Sequence, residues 1–301
     1  MVSRPEIEGE RLLKQLLAQS QDFGGAFAYI TGSMGGGKTS AMFSWLLYTL
    51  LHYSDQKLFL SETYNAPLQC FKLDRNKLHF MVMDDSNVIF RDRNNHLAQV
   101  KLPVTTFKSQ KIIKEVKKGD EIEVEVKLIP DFDDLYEKAK PGLVNVVFFG
   151  NRFYWMDFIA YLRHTGDWSH VFIDELGEIT PAGTSGRQWK SIGRFANFTK
   201  DLRKCMIKVI CNTQSVRDSD YRIQDKFMFR VFLPGAMSDG KHSRVSQSAI
   251  DNLISDAERG NFAYIDSKGK FGLIQFKNIF KPNKKYNIEA YIPEYEEIQN
   301  V

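Results

Sequence analysis

Six short apolar runs recur along the chain: AFAYITG (26–32), KLFLSET (57–63), VNVVFFG (144–150), HVFIDEL (170–176), IKVICNT (207–213) and FMFRVFL (227–233). Each is strand-length, rich in β-branched and aromatic residues, and most end in glycine or a polar residue. Runs that are apolar on both faces mark strands covered on both sides, as in a parallel sheet. Segments with helical spacing separate them, and residues 6 to 20 place Leu and Ile at helical intervals. The pattern predicts an α/β fold with a parallel sheet between two helical layers. Two regions change the rhythm. Residues 76–130 contain NVIFRDRNNHLAQVKLPV and KIIKEVKKGDEIEVEVKLI, which alternate with period two around turn residues and predict an antiparallel β insertion. Residues 261–292 hold NFAYIDSKGKFGLIQF, a hairpin turning at SKGK, and then YNIEAYI, a small β cap on the main sheet. The expected division is 1–75 for the N-terminal helix and first half of the core, 76–130 for the insertion, 131–235 for the second half, and 236–301 for a C-terminal β extension.

The chain has 301 residues, 43% hydrophobic and 26% charged, which is a globular composition with ample length for a core. The net charge of +4 is too small to identify a polyanionic partner by itself. Cys70, Cys205 and Cys211 are odd in number and lack metal-ligand spacing, so they read as reduced thiols in a cytosolic setting. The N-terminus has early acidic residues and no signal-peptide pattern. FSWLLYTLLHY, the longest apolar stretch, is shorter than a membrane span and reads as a buried helix. The expected location is the cytoplasm, that of a host cell if the protein is viral, or the periphery of a membrane or virion.

Between the first strand and the next helix stands GSMGGGKT, which fits G-x-x-x-x-G-K-[ST]. Gly32, Ser33, Met34, Gly35, Gly36 and Gly37 allow the backbone to curl so that several N–H groups point at one spot. The helix N-terminus at Lys38, Thr39 and Ser40 adds partial positive charge there. Lys38 is expected to reach the β- and γ-phosphates of ATP, and Thr39 to hold Mg²⁺. The acidic run ending HVFIDELGE supplies the complement. Asp174 would hold the metal through its water shell, and Glu175 would orient or deprotonate the attacking water. Asn212, Thr213 and Gln214 end the next strand, where a polar side chain could sense the γ-phosphate; Gln214 is the candidate named for that role.

Together these three features resemble the additional-strand catalytic-glutamate class of P-loop ATPases. That resemblance implies a sensor strand lying between the phosphate-loop strand and the acidic strand. The chain contains no N-K-x-D guanine reader and no obvious Arg-rich lid, which disfavours a GTPase or a small-molecule kinase. The stretch FTKDLRKCMIKVICNTQSVRDSDYRIQDKFMFRVFL (198–233) is similar to the FtsK–HerA group of DNA-pumping ATPases. It equally resembles the Zot-type morphogenesis proteins of filamentous phages and the packaging ATPases of membrane-containing archaeal viruses. The resemblance covers residues 26 to about 233 apart from the β insertion. It implies a homo-oligomeric ring, a hexamer in the family, that hydrolyses ATP at subunit interfaces and moves DNA. It also implies an arginine supplied to the neighbouring site, with Arg187, Arg194, Arg203, Arg217 and Arg222 as candidates and Arg203 and Arg222 favoured. The chain departs from the pattern in its β insertion and in lacking the membrane segment and winged-helix module of some members.

Two basic stretches are candidate DNA contacts: Lys108, Lys111, Lys114, Lys117 and Lys118 in the insertion, and Arg187, Lys190, Arg194, Lys200, Arg203 and Lys204 interleaved with Trp189 and Phe195. The first reads equally as a solvated strand face, and the second as an amphipathic helix. His164 and His170 have no second ligand at metal spacing and read as core or surface residues. Three functions remain open: a DNA-translocating or genome-packaging ATPase, a Zot-like assembly or secretion ATPase acting at a membrane, and a nucleotide-gated interaction protein.

Overall fold

The computed structural model describes residues 5–17, 24–61, 75–84, 87–92, 104–118, 121–237, 247–248, 251, 262–267, 270–275 and 286–291. Its strands are β1 (Ala26–Thr31), β2 (Lys57–Ser61), β3 (Leu78–Met83), β4 (Asn87–Asp92), β5 (Val104–Phe107), β6 (Ser109–Lys118), β7 (Glu121–Pro130), β8 (Val144–Phe148), β9 (Ser169–Ile173), β10 (Ile207–Thr213), β11 (Phe229–Phe232), β12 (Phe262–Ser267), β13 (Lys270–Gln275) and β14 (Tyr286–Tyr291). The helices are α1 (Pro5–Leu17), α2 (Lys38–His52), α3 (Phe132–Lys138), α4 (Tyr154–Tyr161), α5 (Leu176–Ile179), α6 (Gly186–Phe198) and α7 (Tyr221–Gln224).

Ten strands form the main sheet in the order β13-β12-β11-β1-β10-β9-β2-β8-β3-β5. From β11 to β5 every pairing is parallel; β12 and β13 add an antiparallel hairpin at one edge. Side chains alternate across the sheet with period two. On β1, Ala26, Ala28 and Ile30 pack with Leu12, Leu16 and Leu17 of α1 and Met42, Phe43, Trp45 and Leu46 of α2. Phe27 and Tyr29 point to the opposite layer, among Trp155 and Phe158 of α4 and Ile192, Phe195 and Ala196 of α6. Burying each large side chain contributes about 1.5–3 kcal/mol, which holds the two layers against the chain entropy they cost.

All six apolar runs are strands of this sheet. The stretch expected to be wholly antiparallel is divided instead. β3 pairs parallel with β8, and β5 pairs parallel with β3, so both extend the main sheet. All six residues of β3, LHFMVM, are buried, as befits a strand covered on both faces. Within that stretch, β6 and β7 form an antiparallel hairpin. β4 pairs with β14 in a separate two-stranded sheet.

Candidate nucleotide site

β1 ends at Thr31, and residues 32–37 turn the chain into α2. Gly35 and Gly37 have φ of +73° and +96°, a left-handed region that side-chain-bearing residues enter at a cost. The loop is tied to the segment after β11: the Ser33 N–H and Oγ both donate to the Pro234 carbonyl, at 3.2 and 3.1 Å. Met34 projects outward, 83% exposed. α2 begins behind Gly37 with no side-chain cap, so its first N–H groups face the space enclosed by the loop. Lys38 folds its ammonium back onto the loop, donating to the carbonyls of Gly32 at 2.8 Å and Ser33 at 3.1 Å. Thr39 is half-buried and Ser40 is buried at the start of α2.

Across the sheet, β10 lies between β1 and β9. Two strand spacings separate the tip of the loop strand from the tip of the acidic strand, roughly 10 Å. The Asp174 N–H donates to Ser61 Oγ at the tip of β2, 2.9 Å away. Asn212 Nδ2 donates to Asp174 Oδ1 at 2.9 Å, and the Thr213 hydroxyl shares its one proton between the Ser215 carbonyl at 2.8 Å and Glu175 Oε1 at 3.3 Å. Burial raises the pKa of Asp174, opposed by the Asn212 amide and the charges of Lys38 and Arg152. Burial also raises that of Glu175, opposed by donors that include the backbone N–H groups of Gln214 and Gly177 and the Thr213 hydroxyl; the Asp174 charge adds to the rise. Burial lowers the pKa of Lys38, while Glu175 and Asp174 counter it by attraction. The ammonium and the two carboxylates therefore share one electrostatic environment.

Glu175 has φ of +64°, a strained conformation for a side-chain-bearing residue that redirects the chain between β9 and α5. Asn212 Oδ1 is buried with no hydrogen-bond partner. That orphaned acceptor, the Asp174 carboxylate and the Thr39 hydroxyl suit a hydrated hard cation. Among the described residues no cluster of three or more His, Cys, Asp or Glu could hold a metal. A cation here would therefore take further oxygen ligands from water and from a bound phosphate.

The remaining candidates are distributed more widely. Gln214 is exposed; its carbonyl accepts from Thr31 Oγ1 at 3.2 Å, while Asn212 and Thr213 meet the acids with their side chains. Arg203 precedes β10, and its carbonyl accepts from the Gly25 N–H at the start of β1, so it sits at the opposite end of the sheet from the loop. Arg222 is bound within the chain: Nε and Nη2 donate to the two carboxylate oxygens of Asp220, both at 2.8 Å. Arg187 and Arg194 are exposed on α6, and Arg217 is exposed beyond β10. Ser61 and Arg152 were not anticipated. Ser61 is the polar end of KLFLS, so its placement at a strand tip was readable. Arg152 follows β8 and pairs with Glu178, and nothing local to its sequence marks it. His170 hydrogen-bonds Gln56 at 2.7 Å and stacks on Tyr53, with burial pushing its pKa down to about 3. His164 accepts from Arg163 Nε. Cys211 is buried and Cys205 half-buried, both free thiols; Cys70 lies outside the described residues.

No known family matches the chain by sequence, and no curated protein does. Solved structures do match. The genome packaging NTPase B204 from Sulfolobus turreted icosahedral virus 2, in complex with ATP-gammaS, superposes with a TM-score of 0.50 at 10% identity, over 87% of this chain and 100% of that one. The same protein in complex with AMPPCP gives 0.50 at 8% identity, over 86% and 100%. This chain has the P-loop NTPase fold. At these identities the likeness is one of fold. The P-loop core runs through β1, β10, β9 and β2, with the loop and both acidic residues at the same end of the strands. Here β10 occupies the place that the additional-strand class assigns to its sensor strand.

Proposed function

We propose that this chain is an ATP-hydrolysing motor of the FtsK–HerA type that moves DNA, most simply to package a genome. The observation that carries the reading is the coupling of β10 to both acids, through Asn212 to Asp174 and Thr213 to Glu175, beside a loop able to cradle phosphates. The fold shared with a genome packaging NTPase supports DNA as the polymer.

In this reading the backbone N–H groups of Gly35 and of residues 37–39 hold the phosphate oxygens, the Gly36 N–H being kept by the Ser33 carbonyl at 2.9 Å, and Lys38 exchanges its contacts with Gly32 and Ser33 for the β- and γ-phosphates. Thr39 and Asp174 would hold Mg²⁺, which when bound neutralises charge on the phosphates. Glu175 accepts the proton of the attacking water, and Thr213 fixes the direction of its carboxylate. An arginine from a neighbouring subunit completes the site in a ring, with Arg187, Arg194 and Arg217 the more available donors because Arg222 is already paired. Among the described residues no helix is long and apolar enough to cross a membrane.

The test is ATP turnover against protein concentration, with and without double-stranded DNA, at two salt concentrations. A DNA-translocating ring gives turnover per chain that rises with concentration and is stimulated by DNA, with stimulation weakening as salt rises. Glu175→Gln should lower kcat by about 10²–10⁴ while retaining ATP. Full activity in a monomer with no response to DNA refutes the motor. Stimulation by a lipid surface alone would favour the assembly ATPase, and an active Glu175→Gln protein would favour the nucleotide-gated alternative.

A further inference from the structure

A groove of about 740 Å³ between α6 and α7 combines open aromatic rings with cations. Trp189 is 46% exposed and Tyr221 62% exposed, large rings left facing water. Arg222 lies between them, its guanidinium 4.2 Å from the centre of the Trp189 ring and 5.9 Å from that of Tyr221. Its orientation is over-determined. Asp220 grips it at two points, and Nη2 also donates to the Trp189 carbonyl at 3.0 Å. Gly193 completes the seat, because a Cβ there would come within 2.7 Å of Arg222 Nη1. Glycine in a helix interior costs about 1 kcal/mol relative to alanine, and the close approach of Arg222 accounts for its presence in α6.

The Arg222–Asp220 pair is neutral, so the charge of the groove comes from the other lining residues. These are Lys190, Arg194 and Lys226 against the single acid Asp225, three cations to one anion. Neither Lys190 nor Lys226 forms an ion pair among the described residues. Arg187 continues the row on α6: positions 187, 190 and 194 follow i, i+3, i+7 spacing and cover about 10 Å of helix axis. A row of cations alone would suit any polyanion. Exposed rings beside it, Tyr221 above all since Arg222 covers one face of Trp189, narrow the choice, because bases in a duplex stack on one another and offer only their edges, whereas a single strand offers base faces.

We propose that this groove binds single-stranded nucleic acid, with a base stacking on Tyr221 beside the Arg222-capped Trp189 ring and phosphates neutralised by Lys190 and Lys226. The choice of DNA as the strand rests on the motor reading above; the groove chemistry requires only unpaired bases on a phosphate backbone.

The test is fluorescence anisotropy of labelled oligo-dT, and of a duplex of equal length, titrated with the full chain over a range of salt. Thermal melting of each variant serves as the folding control. Wild type should prefer oligo-dT to the duplex. Lys190→Ala/Lys226→Ala should weaken oligo-dT binding and flatten the slope of log K against log salt by about 1.4, two phosphate contacts at roughly 0.7 each. Tyr221→Ala should weaken binding by about 5- to 150-fold, the worth of one stacked base, and leave the slope unchanged. Tyr221→Phe should restore it. A wild type that binds DNA, with folded variants that match it in affinity and slope, overturns the groove and leaves the motor standing. Variants that dissociate into monomers and lose single-strand and duplex binding together show a subunit interface instead, and also overturn it. A wild type that binds neither DNA nor RNA oligomers removes both the groove and DNA as the moved polymer.

Discussion

Asn212 and Thr213 are neighbours on β10, and alternation sends them to opposite faces of the sheet tip. One meets Asp174 and the other Glu175, so a single strand end reports on both acids. The Thr213 hydroxyl favours the ionised form of Glu175, against the larger effect of burial, which holds its pKa above the usual value near 4.3. If Glu175 is the base, acidification stops turnover as its carboxylate takes up a proton. Thr213→Val removes a donor to that carboxylate, so the acid limb of the kcat–pH profile should move to higher pH, while Thr213→Ser keeps it in place. An unmoved limb in the valine variant would deny Thr213 this positioning role. The loop residues and both acids were legible because their chemistry is written in contiguous motifs. Which of residues 212–214 turns inward was not, since it depends on the strand's exact end. Pairings such as Arg222 with Asp220 and Arg152 with Glu178 depend on where short turns bring side chains, and no spacing rule encodes that.

Among the elements, β3 marks the boundary between what periodicity could and could not reveal. LHFMVM is as apolar as any strand of the core, yet it lies among alternating, charged segments, and its neighbours set the expectation. Its membership of the sheet has a measurable consequence. Phe80 is fully buried and packs 6.2 Å from Phe148 of β8. Phe80→Ala should therefore lower the unfolding free energy by about 3–5 kcal/mol in chemical denaturation, the cost of a cavity in a core strand. A loss below about 1 kcal/mol would place β3 outside the cooperative core. β6 and β7 were legible as a hairpin, because alternation around a turn survives in any tertiary setting. Their backbone register runs residue for residue, from Ser109 opposite Pro130 to Lys118 opposite Glu121.

Across the whole molecule, Lys208 links the first helix to the centre of the sheet. It is almost fully buried in β10, and its ammonium donates to the Leu16 carbonyl near the end of α1 at 2.9 Å. Burial pushes its pKa down to about 7. The unfolded chain keeps this proton up to about pH 10.4, so unfolding takes up a proton between those values and stability rises with pH across that window. Below about 7 both states are protonated and this contribution is flat. The difference in unfolding free energy between wild type and Lys208→Met should accordingly slope by up to about 1.4 kcal/mol per pH unit in the window. A difference that is constant with pH would mean that Lys208 stays charged in the fold. α1 also packs against β12 and β13 at the far edge of the sheet. With β1 and α2 on one side of α1 and the β12–β13 hairpin on the other, α1 joins segments from opposite ends of the sheet's chain order, a non-local contact of the kind that slows folding.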